Sequence, residues 1–191
     1  MTKQELRVTY LQKRQELTEA EVIIRSQRIC ELFISGVDLS GVSFLHTFYP
    51  IDHKREPDTR LIIERLLIDF PAIRIVIPRI NEASGEIENF LFRSSAHLQF
   101  NSWGIAEPVN SERIETAMID LVLVPLLIFD RQGHRVGYGK GFYDRFLRRC
   151  GPETRRIGIS LFDGIDKISD VHSSDETLHQ CITPQAIITF R

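Results

Sequence analysis

A chain of 191 residues and 22.1 kDa, with 42% hydrophobic and 26% charged residues, fits one globular domain and argues against disorder; at this size roughly 70% of the unfolded surface can be buried without a disulfide or metal staple. A formal charge of −2 and a pI near 6.3 exclude a protein that coats nucleic acid or an anionic membrane by bulk charge, so any bound phosphate must be held by a local cluster. Three scattered cysteines, Cys30, Cys150 and Cys181, with no C-x-x-C pair, exclude a zinc knuckle or redox dithiol and predict reduced thiols.

The opening Met1-Thr2-Lys3-Gln4-Glu5 is charged at once, unlike a signal peptide. No run approaches the ~20 apolar residues needed to cross a bilayer, so a cytoplasmic protein is expected. Leu6, Tyr10, Leu11 and Leu17 recur at helical spacing. Thr18 and Glu21 form a capping box that starts a second helix, its apolar face carrying Val22, Ile23, Ile29, Leu32 and Phe33, ended by Ser35-Gly36. Val42 to Tyr49 predicts a strand stopped by Pro50, and Asp52 to Thr59 a polar loop. Thr59 is the expected cap of a helix from Arg60 to Asp69. A strand from Ile73 to Ile77, closed by Pro78, is expected to pair with Glu86 to Phe92. Asp120 to Phe129 is the most apolar run, expected of a central strand covered on both faces. A glycine-rich loop, a helix from about Phe142 to Arg149, and strands at Ile157 to Leu161 and Ala186 to Thr189 complete the chain. Strands alternating with helices predict one α/β domain over residues 1–191, a largely parallel sheet between helical layers.

The densest local signal is Gly137-Tyr-Gly-Lys-Gly-Phe-Tyr-Asp144, between a buried strand and a helix. Glycines there let backbone N–H groups approach an anion, and the helix N-terminus adds positive potential. It is neither a P-loop, since His134 and Gly141 occupy the places of its first glycine and its Ser/Thr, nor a Rossmann turn, whose third glycine falls one residue later. Spacing alone leaves a structural turn and a phosphate site both open. Asp144 likewise reads either as an acid satisfying the helix dipole or as a ligand that holds Mg²⁺ against phosphate oxygens.

Asp120-Leu-Val-Leu-Val-Pro125, Phe129-Asp130, Gly133, Arg135 and Gly137 to Phe146 together resemble the signature of 5-formyltetrahydrofolate cyclo-ligases. Weaker matches lie in family order: the basic pair Lys3 and Arg7, Glu56-Pro-Asp-Thr59, Trp103-Gly-Ile-Ala-Glu-Pro108, and Asp175. The resemblance spans nearly the whole chain. Two positions depart from it. Leu126 stands where a glycine is usual, for which a repacked core is expected, and His179 where a second late acid is usual.

The resemblance implies a three-layer α/β/α fold of the kind shared with sugar-phosphate isomerases and CoA transferases. It also implies ATP- and Mg²⁺-dependent closure of 5-formyltetrahydrofolate to 5,10-methenyltetrahydrofolate through a phosphorylated formyl group. Such chemistry asks for cations, free N–H groups and a metal rather than a triad. The implied catalytic side chains are Lys140, Arg135 and Tyr143. Lys3, Arg7, Arg135, Gly137, Tyr138, Gly139, Lys140, Gly141, Phe142 and Tyr143 would take ATP. Ile51, Glu56, Trp103, Tyr138, Lys140 and Phe142 would take folate, and Asp144 and Asp175 the Mg²⁺. Without the resemblance, Lys3 and Arg7 read as a solvated helix face, Glu56 as a loop charge, Trp103 as core and the six histidines as surface or loop residues. The partners expected are these small molecules, with no nucleic acid or membrane, and a monomer. A sugar-phosphate isomerase-like enzyme and a non-catalytic folate or nucleotide binder are the competing readings.

Overall fold

Capping chemistry starts the first two helices. In this computed structural model, which describes residues 1–81, 83–101 and 104–190, Thr2 and Glu5 form one capping box and Thr18 and Glu21 another. They open α1 (Lys3–Glu16) and α2 (Glu19–Gly36). The stripe of α1 buries Leu6 and Tyr10, and also Arg14. On α2, Ile29, Cys30 and Phe33 are buried, whereas Ile23, expected inside, is exposed.

The first strand is shorter than expected: β1 spans Phe44–His46, although the Thr47 N–H still donates to Val76 O. Helix α3 has the predicted bounds, Arg60–Asp69, but Thr59 is not its side-chain cap. The Thr59 hydroxyl instead donates to Phe48 O at 2.6 Å, and Asp58 accepts from the Arg60 N–H at 3.1 Å. Strand β2 (Arg74–Asn81) runs through Pro78 and pairs antiparallel with β3 (Glu86–Leu91). A small hairpin, β4 (Leu98–Phe100) and β5 (Ala106–Pro108), is followed by β6 (Arg113–Ile114).

The long apolar run divides in two. Only β7 (Leu121–Pro125) joins the main sheet, and β8 (Ile128–Phe129) pairs with β9 (Arg135–Val136) in a hairpin that leads into the glycine loop. Helix α4 (Phe142–Arg149) is as predicted, followed by β10 (Arg155–Ile159), β11 (Gln180–Ile182) and β12 (Ile187–Thr189). The eight-stranded order is β12-β11-β10-β7-β1-β2-β3-β6; β2, β1, β7, β10 and β11 run parallel, and the flanking strands antiparallel.

Strand alternation on β7 explains the three layers. Leu121 and Leu123 enter the core shared with α2 and α3; Val122 and Val124 enter the core shared with Phe146 and Leu147 of α4. Covered on both faces, β7 needs no polar side. Leu126 is buried in the α4-side core, its Cδ2 only 2.6 Å from where a Cβ on Gly158 would stand. Gly158, on the neighbouring strand β10, leaves the room that Leu126 fills. The strands end, carboxyl-side, at the loops that carry Tyr49, Glu56 and the glycine loop, where ligands of parallel sheets bind. Among the described residues, no helix is long and apolar enough to cross a membrane.

Candidate active site

Those loops enclose a cavity of about 980 Å³, at the upper end for small-molecule sites. Its walls bring together segments far apart in sequence: Lys3 and Arg7 of α1, Ile51 and Glu56 after β1, Pro78 and Ile80 of β2, the run Arg135–Arg145, and Asp175.

In the glycine loop, Gly139 and Gly141 have φ of 89° and 67°, a region where a side chain is strained. A Cβ on Gly139 would also stand 3.0 Å from Arg7 Cζ. Arg7 lies flat against this loop, and its Nε donates to Gly137 O at 3.0 Å, which brings the N-terminus of α1 to the cavity. Gly141 is the N-cap of α4 and offers no side-chain acceptor, so the first N–H groups of that helix remain available to an anion. Lys140 is exposed at the cavity edge, with no partner among the described residues.

The two acids at this end are engaged with protein cations. Asp144 Oδ1 accepts from Arg135 Nη2 at 2.8 Å and from the Glu176 N–H at 3.2 Å, and among the described residues no α4 N–H group donates to it as a capping role would need. Arg135 is buried and also donates to Glu176 O; burial lowers its pKa and the Asp144 charge opposes that. Asp175 pairs with Lys3 and accepts from the His172 N–H at 2.6 Å. Burial raises its pKa, but those bonds outweigh it and hold the carboxyl below its usual range. His179 is exposed, with Nδ1 accepting from the Arg156 N–H, and does not replace the second late acid. Among the described residues, no group of three or more His, Cys, Asp or Glu side chains gathers for a metal. Two carboxylates suit Mg²⁺ only in company with phosphate oxygens and water.

At the opposite end Glu56 is 6% exposed. The Ile51 N–H donates to its Oε2 at 2.8 Å and the Tyr138 hydroxyl to its Oε1 at 2.5 Å. Phe48, Tyr49, Ile80 and Ile105 make this end apolar. Between the ends stands Tyr143, beside Phe142 on the first turn of α4. Its hydroxyl lies 3.2 Å from His46 Nε2, whose other nitrogen is 2.9 Å from Asn89 Oδ1; the Asn89 amide donates in turn to Thr116 Oγ1 at 3.0 Å. Because Asn89 Oδ1 only accepts, the proton belongs on His46 Nδ1, and Nε2 accepts from Tyr143. Burial lowers the His46 pKa to about 4 and raises that of Tyr143, so both are neutral near pH 7.

The structure therefore gathers every expected site residue it describes around one cavity; Trp103 lies outside the described residues. Two side chains escaped the sequence reading. His46 is fully buried, not a surface or loop histidine, and its signal is position: every side chain of a strand covered on both faces is inside. Arg14 is 2% exposed and touches Tyr138; its signal is that it follows Tyr10 by four residues, on the buried stripe of α1.

A family model described as the 5-formyltetrahydrofolate cyclo-ligase family matches residues 1–183. The chain belongs to the 5-formyltetrahydrofolate cyclo-ligase family. It is 28% identical to the 5-formyltetrahydrofolate cyclo-ligase of Mycolicibacterium smegmatis, over 96% of this chain and 94% of that one. With the mouse cyclo-ligase it shares 40% identity over 39% of this chain, a stretch spanning 40% of the mouse protein. The 5,10-methenyltetrahydrofolate synthetase of Aquifex aeolicus superposes with a TM-score of 0.81 at 27% identity, covering all of this chain and 94% of that one. The synthetase of Mycoplasma pneumoniae gives 0.75 at 26%, covering 96% and 99%. Cyclo-ligase membership accounts for the parallel sheet and helical layers as well as for the glycine-loop signature.

Proposed function

We propose that this chain uses ATP to close 5-formyltetrahydrofolate into 5,10-methenyltetrahydrofolate. The observation that carries the reading is a single cavity with a phosphate-type glycine loop at one end and a buried, neutral-donor-held carboxylate at the other. An amide-like formyl carbon is a poor electrophile and its oxygen a poor leaving group. Transfer of the γ-phosphoryl to that oxygen cures both: N10 attacks the carbon and loses its proton, and the oxygen departs with phosphate. The residues needed are those that hold and neutralise, because phosphoryl transfer asks mainly for positioning and charge.

In this reading the α4 N–H groups, the glycine-loop backbone, Arg7 and Lys3 hold the triphosphate. Lys140 meets the charge that develops on the transferred group, and Arg135 stabilises the same end from its buried seat. Magnesium arriving with the nucleotide would neutralise phosphate charge, with Asp144 and Asp175 as the residues to hold it. Glu56 accepts from the paired N–H donors of the 2-amino-4-oxo ring, and Ile51, Phe142 and Tyr143 pack on the ring system. The site is that of a cytoplasmic monomer; all three cysteines are free thiols, which fits a reducing compartment, and sedimentation tests the oligomeric state.

The test is the near-ultraviolet absorbance of the methenyl product after mixing the protein with 5-formyltetrahydrofolate, ATP and Mg²⁺. A rise that requires all three supports the proposal. Binding of folate or nucleotide without turnover would leave a non-catalytic binder, and isomerisation of a sugar phosphate without ATP would replace the reading.

A further inference from the structure

Glu56 and Arg14 are an anion and a cation, both buried, that meet through a single phenol. Arg14 pairs with no carboxylate among the described residues; its Nη2 donates to the Tyr138 hydroxyl oxygen, and its Nε is buried without a partner. Among the described residues Glu56 likewise has no ion pair, and its Oε1 accepts a hydrogen bond from the Tyr138 hydroxyl. The direction of the chain is not free. A guanidinium only donates and a carboxylate only accepts, so the one phenol proton must point to Glu56. Burial, then the Glu56 charge, raises the Tyr138 pKa, with Arg14 opposing, which keeps that proton on the phenol.

The arithmetic of lone pairs says what this arrangement achieves. Each carboxylate oxygen offers about two acceptor sites. The Ile51 N–H uses one on Oε2 and the Tyr138 hydroxyl one on Oε1, so each oxygen keeps one. Two side-by-side acceptors match two parallel N–H donors on a flat ring. A direct, two-pronged Arg14–Glu56 pair in place of the phenol would fill the second site on Oε2 and leave a single acceptor, on Oε1, too few for two parallel donors. Tyr138 also sits between Gly137 and Gly139, where Arg7 docks on the loop, so the same side chain ties the carboxylate to the nucleotide end.

We propose that Arg14 and Tyr138 are positioning residues: a tyrosine-bridged ion pair that keeps Glu56 aimed, with one acceptor free on each oxygen, at the paired N–H donors of the folate ring. The proposal rests on the functional reading above. Its test is calorimetric titration of the full chain with 5-formyltetrahydrofolate, and separately with a non-hydrolysable ATP analogue. The variants are Tyr138→Phe, Arg14→Met, Arg14→Lys, Glu56→Gln and the double variant Arg14→Met with Tyr138→Phe, each checked by a thermal melt.

Tyr138→Phe and Arg14→Met each weaken folate binding about 5- to 20-fold and change analogue binding less than about 2-fold. The double variant loses no more than Tyr138→Phe alone, since both act through one chain of bonds. Arg14→Lys, which still donates to the phenol, recovers most of the affinity. Unchanged folate affinity in Tyr138→Phe, additive losses in the double variant, or equal losses for both ligands would each overturn the proposal. A wild-type chain that binds no 5-formyltetrahydrofolate overturns the functional reading instead, and this inference with it.

Discussion

The two ends of the cavity hold their charges in opposite ways. At the glycine-loop end the charged groups are already paired with one another: Lys3 with Asp175, Arg135 with Asp144, Arg148 and Arg156 with Glu176. The exceptions are Lys140, without a partner among the described residues, and Arg7 and Arg145, which donate to uncharged oxygens. At the Glu56 end a single carboxylate is held by two neutral donors and its balancing cation stands one phenol away. A phosphate entering the first end must exchange partners with carboxylates already present, whereas a ring entering the second finds its acceptors set. On the proposed reading, strength at the nucleotide end depends largely on competition, and at the folate end on geometry fixed in advance.

Lys140 breaks this comparison most directly. Exposed and unpartnered, it adds nothing to the core, so Lys140→Ala leaves the thermal melt unchanged. It removes a charge that matters while phosphoryl passes, and turnover falls about 10²- to 10³-fold. Wild-type turnover at saturating ATP would show that the ready-paired cations suffice.

The glycine-loop end was legible in the sequence because its residues are contiguous. Gly137 to Asp144 carries loop, helix start and lysine in one stretch, and α4 forms where its apolar periodicity says. The Glu56 end was legible only through resemblance, because Glu56, Arg14 and Tyr138 meet from three separate segments and no local spacing joins them. Parallel layers followed from alternating elements, while the edges did not: β11 was missed as a short, mixed Gln180–Ile182, and Pro78 did not end β2. The role of Asp144 divided into helix cap or metal ligand, and its Arg135 partner, nine residues earlier on β9, lay beyond any helix-based reasoning.

That partner changes what Asp144→Asn should do. Asparagine keeps the shape but removes the countercharge of a buried guanidinium, and breaking a buried pair costs about 3–5 kcal/mol; the part exposure of Asp144 reduces this to about 1–3 kcal/mol. Denaturant unfolding should register that loss, and the Mg²⁺ concentration for half-maximal activity should rise together with it. A variant that loses stability at wild-type Mg²⁺ dependence assigns Asp144 to Arg135 alone. One that keeps full stability shows the pair to be weak and the comparison between the two ends overdrawn.

Glu56→Gln probes the other end. Glutamine still accepts from the Ile51 N–H but trades one acceptor oxygen for a donor amide, so folate binding weakens by about 1–3 kcal/mol while ATP binding holds. Separate titrations decide it. An effect confined to ATP would move Glu56 out of the ring pocket.

The smallest expected effect concerns His46, which sets Tyr143 between the two ends. Its pKa falls from 6.5 to about 4 on burial. The unfolded chain therefore binds more protons than the folded one between those values, so His46 favours folding fully above about pH 6.5. That contribution is lost as pH drops toward 4. From pH 7 to pH 5 the loss is about 1–2 kcal/mol. His46→Phe keeps a ring against Phe146, now 4.6 Å away, but cannot take up a proton. It also leaves Asn89 Oδ1 and the Tyr143 hydroxyl without their partner, so the variant starts less stable at every pH. What separates the two effects is slope. Urea unfolding at pH 7, 6 and 5 should show wild type losing about 1–2 kcal/mol more than His46→Phe over that range. Equal slopes would mean that His46 takes up its proton in the folded chain, and that the Tyr143 hydroxyl is not held by a neutral imidazole.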